Sequence, residues 1–148
     1  MSLPTEADFA IIKIGDGATP TEVFAIACGI QDVTINQAVG TQDRYVRDCA
    51  KPGEIPNRKV KATGKSLDVT GSGLIDKAQI AIYNSALGVA KNYKIEVYAD
   101  NGTDAGTLLG TFAGSFMMTA SNQSIPREGT ASAEITLASN GAWTWTAA

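Results

Sequence analysis

The chain has 148 residues, with 12 Lys or Arg against 15 Asp or Glu, a net charge of −3. That length suits one domain, residues 1–148, and the acidic balance argues against a stable nucleic-acid-binding face, which would need a basic surface. Histidine is absent, which excludes Ser-His-Asp and Cys-His nucleophilic machinery.

The amino terminus, MSLPTEADF, shows neither a basic n-region nor an apolar h-region, and no apolar run reaches the length of a membrane span. The expectation is a soluble chain made in the cytoplasm, with no membrane partner. Cys28 and Cys49 are the only cysteines, and the default expectation is two reduced thiols, Cys28 on a buried strand and Cys49 in a loop. A disulfide between them is left open.

In chain order, residues 8–14 read as a first strand, closed by Gly15-Asp16-Gly17. Residues 22–28 are apolar on both faces, which predicts a strand covered on both sides. Residues 32–36 alternate cleanly, with Val33 and Ile35 inward and Asp32, Thr34 and Asn36 outward. Residues 39–61, VGTQDRYVRDCAKPGEIPNRKVK, show no regular period and contain Pro52, Gly53 and Pro56, so they read as a long arm without secondary structure. The arm holds six basic residues (Arg44, Arg47, Lys51, Arg58, Lys59, Lys61) against three acids (Asp43, Asp48, Glu54), roughly +3. The rest of the chain is therefore roughly −6, an acidic body carrying a basic arm.

Residues 66–70 resume strand alternation and end at Gly71-Ser72-Gly73. Residues 76–87 predict the one helix, with Asp76 as N-cap, Gly88 as terminator, and a stripe of Ala78, Ile82 and Tyr83 with Ile75 and Ala86. Residues 92–99 are the strongest strand, Tyr93, Ile95 and Val97 facing inward. Residues 107–119 predict a strand with a bulge or bend near Gly110 and Gly114, followed by a polar loop over 121–129. Residues 131–137 and 142–146 read as two further strands joined by an Asn140-Gly141 turn. The total is about eight strands: a mainly β fold, a sandwich or barrel-like sheet with one short helix packed on its side and a long protruding loop.

Chemistry is sparse. The carboxylates sit at turns and on outward strand faces, where solvation explains them, and Gly71-Ser72-Gly73 lacks the rest of a phosphate loop. No catalytic residue, metal site or cofactor is predicted. Trp143 and Trp145 share a strand face and could stack a sugar, although such pairs more commonly serve a core or an interface. A β-sandwich carbohydrate-binding or cell-surface adhesion module is the alternative reading.

The succession of an early hairpin, DVTINQA, the arm VGTQDRYVRDCAKPGEIPNRKV, KSLDVTGSG, DKAQIAIYNSAL and NYKIEVYAD resembles a tail tube protein of long-tailed bacteriophages and gene-transfer agents. The resemblance implies six-copy rings that stack into a hollow tube, with DNA passing through the lumen without stable binding. It also implies a place in the virion tail after assembly in the host cytoplasm, with tape measure, tail terminator and baseplate proteins as partners. On that reading Arg44, Tyr45, Arg47, Asp48, Lys51 and Arg58 would contact neighbouring copies, and Asp32, Thr34, Asn36, Asp68 and Glu134 would line the lumen.

Overall fold

The structure, a computed structural model, describes residues 3–148. Met1 and Ser2, the start of the stretch read for a leader, lie outside them. Seven strands and one helix follow one another as β1 (Phe9–Gly15), β2 (Phe24–Ile26), β3 (Ile30–Val46), β4 (Asn57–Leu74), α1 (Lys77–Ala86), β5 (Ala90–Ala99), β6 (Thr107–Ser124) and β7 (Ser132–Ala147). The strands form one antiparallel sheet in the order β2-β1-β5-β6-β7-β4-β3.

The sheet rolls until its far members meet. A Cβ added to Gly71 of β4 would stand 2.9 Å from Ile12 Cδ1 of β1 and 2.8 Å from Ile30 Cγ2 of β3. Inside the roll lie Ile12, Leu67, Val69, Tyr93, Ile95, Phe116, Met118, Ile135 and Leu137, all essentially without solvent contact. Bulges allow strands this long to bend. Leu109 and Thr119 are extra residues on β6, and Ser115 of β6 faces the stretch 140–142 of β7. The bend anticipated at Gly110 and Gly114 is therefore present on both sides of those glycines.

Helix α1 begins where its capping signals place it. Asp76 accepts a hydrogen bond from the Ala78 N–H at 3.2 Å, and Gly88 ends the helix at φ +76°. The Gly88 N–H then donates to the Met118 carbonyl at 2.9 Å, tying the helix end to β6. Tyr83 and Ala86 enter the core, but the stripe is rotated from the predicted one: Ala78 is exposed and Gln79 buried.

The mainly β, barrel-like sheet with a side-packed helix is the predicted class, and four local readings change. Residues 39–46 and 57–61 are strand, the outer parts of β3 and β4, so the arm is a two-stranded ribbon and only residues 47–56 form a loop at its tip. Asn140-Gly141 is not a hairpin turn; it lies in the bulge of a continuous β7, which makes seven strands and not eight. β6 runs on to Ser124, so residues 121–124 of the predicted polar loop are strand, whereas Gly71-Ser72-Gly73 does close β4 one residue before its end at Leu74, Gly71 leaving room for β1 and β3 side chains. Finally, β2 is an edge strand with Val23 and Ile26 exposed, not one covered on both sides, and Cys28 is exposed beyond it.

Candidate assembly surfaces

The outward face of β3, β4 and β7 gathers all five residues predicted for a lumen. Cross-strand register places Asp32 beside Ser72 and Ser72 beside Glu134; Thr34 beside Thr70 and Thr70 beside Thr136; and Asn36 beside Asp68. On β4 and β7 these residues alternate with buried Leu67, Val69, Ile135 and Leu137, which fixes their orientation away from the core. The rows hold three carboxylates, the hydroxyls of Ser72, Thr34, Thr70 and Thr136, and no cation. Such a surface stays hydrated and repels polyanions.

The ribbon continues this face and changes its sign. Along β3 the alternation carries Arg44 to the same side as Asp32, Thr34 and Asn36, and Arg44 lies directly opposite Lys59 of β4, with Lys61 near by. The reverse side of the ribbon carries Val39, Asp43, Tyr45, Val60 and Arg58, with Arg58 and Asp43 at 4.0 Å. Val39, Tyr45 and Val60 are all exposed there.

At the tip, the Arg47 guanidinium donates to the Pro52 carbonyl and, at 3.3 Å, to the Glu54 carbonyl. Asp48 Oδ1 accepts from the Ala50 N–H at 2.9 Å. The six predicted arm residues thus divide. Arg47 and Asp48 hold the tip in shape and Arg58 is paired within the ribbon, whereas Arg44, Tyr45 and Lys51 extend into solvent.

A second site lies at the opposite end of the sheet, and sequence reading missed it. Ile14, Gly15, Asp16, Val23, Ala25, Gln79, Ile82 and Lys91 enclose part of a cavity of about 310 Å³ between α1 and the β1–β2 corner. Two carboxylates near by are fixed by hydrogen bonds, Asp16 in this lining and Glu22 in an adjoining cavity that also holds Lys91 and Asn92. Asp16 Oδ1 accepts from the Ala18 N–H at 2.9 Å and the Val23 N–H at 3.1 Å, and these backbone donors hold its carboxyl below the usual range. Glu22 accepts from the Gly17 N–H at 2.7 Å and the Asn92 amide at 3.0 Å. The one signal in the sequence was Gln79, a polar residue one turn after Ile75 and one before Tyr83.

Among the described residues there is no group of three His, Cys, Asp or Glu able to hold a metal, and no helix long and apolar enough to cross a membrane. Cys28 and Cys49 are free and exposed. Trp143 packs against the core, and Trp145 lies tilted at 49° against Phe112, centroids 4.7 Å apart, while covering Gly110. Trp143 is thus partly buried in packing, while Trp145 remains 49% exposed.

No protein-family model and no curated protein matches the chain. Solved structures do. One is from the tail of an empty gene transfer agent particle with six-fold symmetry, 21% identical, covering 93% of this chain and 95% of that one at a TM-score of 0.63. Another belongs to the sheath-tube complex of an extracellular contractile injection system, 19% identical over 98% and 93%, TM-score 0.63. A third is the SPP1 tail tube, 14% identical over 94% and 76%, TM-score 0.55. The chain shares its fold with proteins of phage tails and injection tubes.

Proposed function

We propose that this chain is a structural subunit of a tail tube, which self-assembles into rings of six that stack into a hollow conduit for DNA. The observation that carries the reading is a likeness spanning nearly the whole of this chain and of a protein from a six-fold gene transfer agent tail. The surfaces fit the task. A sheet with two open edges, β2 and β3, is completed when neighbouring copies lie edge to edge, and the carboxylate rows of β3, β4 and β7 then face the bore. Phosphate slides past such a lining without binding, because like charges repel across a narrow space. The subunit has no catalytic role. Its other partners are a tape measure protein inside the tube, a terminator at one end and a baseplate at the other, in a virion tail assembled in the host cytoplasm.

Negative-stain microscopy of the purified protein tests the assignment: rings or tubes of uniform width are expected as concentration rises. A protein that stays monomeric at every concentration and salt would refute it.

A further inference from the structure

Three places in the chain put an Asn or Asp directly before a glycine: Asp16-Gly17, Asn101-Gly102 and Asn140-Gly141. Glycine has no Cβ to shield its backbone nitrogen, so in such a pair that nitrogen can reach the side-chain carbonyl carbon of the residue before it. The fold treats the three pairs differently.

In two of them both reacting groups are held. The Gly17 N–H donates to Glu22 Oε2 at 2.7 Å, and Asp16 Oδ1 accepts from the Ala18 and Val23 N–H groups. The Gly102 N–H donates to Asp100 Oδ1 at 2.9 Å, while the Asn101 amide donates to Thr107 Oγ1 at 2.8 Å and accepts from the Thr103 N–H at 3.0 Å. Attack within either pair has to break these bonds first.

Asn140-Gly141 lacks both restraints. Both residues are exposed, and among the described residues no side chain takes the Gly141 N–H and nothing bonds the Asn140 amide. The ladder with β6 stops at Ser139 opposite Phe116 and resumes at Trp143 opposite Gly114, and the last partner on β4 faces Ala138. Residues 140–142 therefore have no cross-strand partner. Gly141 sits at φ +108°, and a Cβ built on it would meet nothing within 4 Å, so the peptide has room to turn.

We infer that Asn140 is a site of spontaneous deamidation, the one Asn-Gly pair that the fold leaves open. Hydroxide takes the Gly141 N–H proton and the nitrogen bonds to Asn140 Cγ. The Cγ–Nδ2 bond breaks, and the amide nitrogen leaves as ammonia after taking a proton from water. A water molecule then opens the cyclic imide, giving aspartate or, where the ring opens at the main-chain carbonyl, isoaspartate with a lengthened backbone. Nothing is oxidised or reduced. The extra backbone atom falls in the bulge, outside both ladders, so the pairing of residues 143–147 with β6 survives. Alternation from Glu134 and Thr136 places Asn140 on the outward face, so the new carboxylate joins Asp32, Asp68 and Glu134 there. That face thus becomes more negative as the protein ages. The inference concerns the single chain and stands without the tube reading.

The test incubates the full chain at mildly alkaline pH and maps its tryptic peptides by mass spectrometry, with fragmentation that separates aspartate from isoaspartate. Cleavage after Lys94 and Arg127 puts Asn101 in peptide 95–127 and Asn140 in peptide 128–148. Peptide 128–148 should gain about 1 Da on conversion, and Asn140 should be lost at least about tenfold faster than Asn101. In guanidinium chloride, where the protecting bonds are gone, the two rates should converge. Asn140→Gln, whose longer side chain closes a larger ring less readily, should remove the acidic shift of the aged protein in isoelectric focusing. Loss of Asn101 as fast as Asn140 in the folded protein, no conversion at Asn140, or a rate difference that persists in denaturant would each overturn the inference.

Discussion

Replacing Arg44 by Glu should shift the isolated chain and the assembled chain in opposite directions. Arg44 and Lys59 face each other directly across the ribbon, an arrangement in which like charges repel. Arg44→Glu turns that repulsion into attraction. A cross-strand charge pair contributes roughly 0.2–1 kcal/mol, and solvent exposure of both residues favours the lower half of that range. Removing one repulsion and adding one attraction should stabilise the ribbon by about 0.5–1 kcal/mol, read as slower amide hydrogen exchange over residues 40–62.

Assembly should respond the other way if the basic face of the ribbon docks on carboxylates of a neighbour. Each copy then exchanges an attraction for a repulsion, about 1 kcal/mol in all, and a ring of six repeats it to about 6 kcal/mol. Light scattering and microscopy would follow tube growth at low and moderate salt, where wild-type growth should weaken as salt screens the contact. Arg44 is the informative site because reversing Arg47 would also dismantle the tip that its guanidinium braces. Slower exchange in Arg44→Glu together with tube growth at the wild-type concentration would refute the docking argument and leave the basic face as ordinary solvated surface.

Two further outcomes concern the body. The Tyr93 hydroxyl is buried without a partner beside Phe116, and burial pushes its pKa up to about 12, so Tyr93→Phe should stabilise the fold by about 1 kcal/mol in chemical denaturation; a comparable loss would mean that the hydroxyl is satisfied. Burial opposes the charge on Glu96, but hydrogen bonds from Tyr98 at 2.6 Å and Lys13 at 3.1 Å, with Lys13 and Lys94 near by, hold its carboxyl below the ordinary value of 4.5. A lowered folded pKa means stability present above that ordinary value and lost as pH falls through the folded one, so Glu96→Gln should flatten the acid limb of the stability profile. An unchanged acid limb in that variant would remove Glu96 from the account.

The sequence is legible where one side of an element is dry. β5 alternates because Tyr93 and Ile95 are buried while Asn92 and Lys94 are not, and α1 announces itself through Asp76 and Gly88. The ribbon is opaque for the opposite reason. Both of its faces meet solvent in the single chain, so Arg44, Tyr45, Lys59 and Val60 show no period-2 burial, and the breakers at Pro52, Gly53 and Pro56 mark only the tip. Asn140-Gly141 carries a strong turn signal, yet β6 offers partners on both sides of it, and the pair becomes a bulge in a continuous strand. The carboxylate face was visible residue by residue, whereas its assembly into rows depends on the β3–β4–β7 register, which local pattern does not encode.

Polar and apolar surfaces are segregated in a way that directs association. The outward face of β3, β4 and β7 is charged and hydroxylated, so it has little to gain by losing water. Of the exposed apolar groups, Val23 and Ile26 lie at or beside the β2 edge, Val39, Tyr45 and Val60 on one side of the ribbon and Ile55 at its tip, while Leu74, Leu87, Val89, Leu108, Ile125 and Trp145 are spread over the body. On the tube reading, the ribbon's apolar side would gain from burial against a neighbour, while the carboxylate face would stay wet. The β2 edge is only three residues long, whereas the β3 edge runs from Ile30 to Val46 and offers a neighbouring copy far more backbone to pair with. On the proposed tube reading, ribbon and body are different patches of one chain, so a contact between them would be head-to-tail and would let growth proceed from copy to copy while the hydrated face stays open.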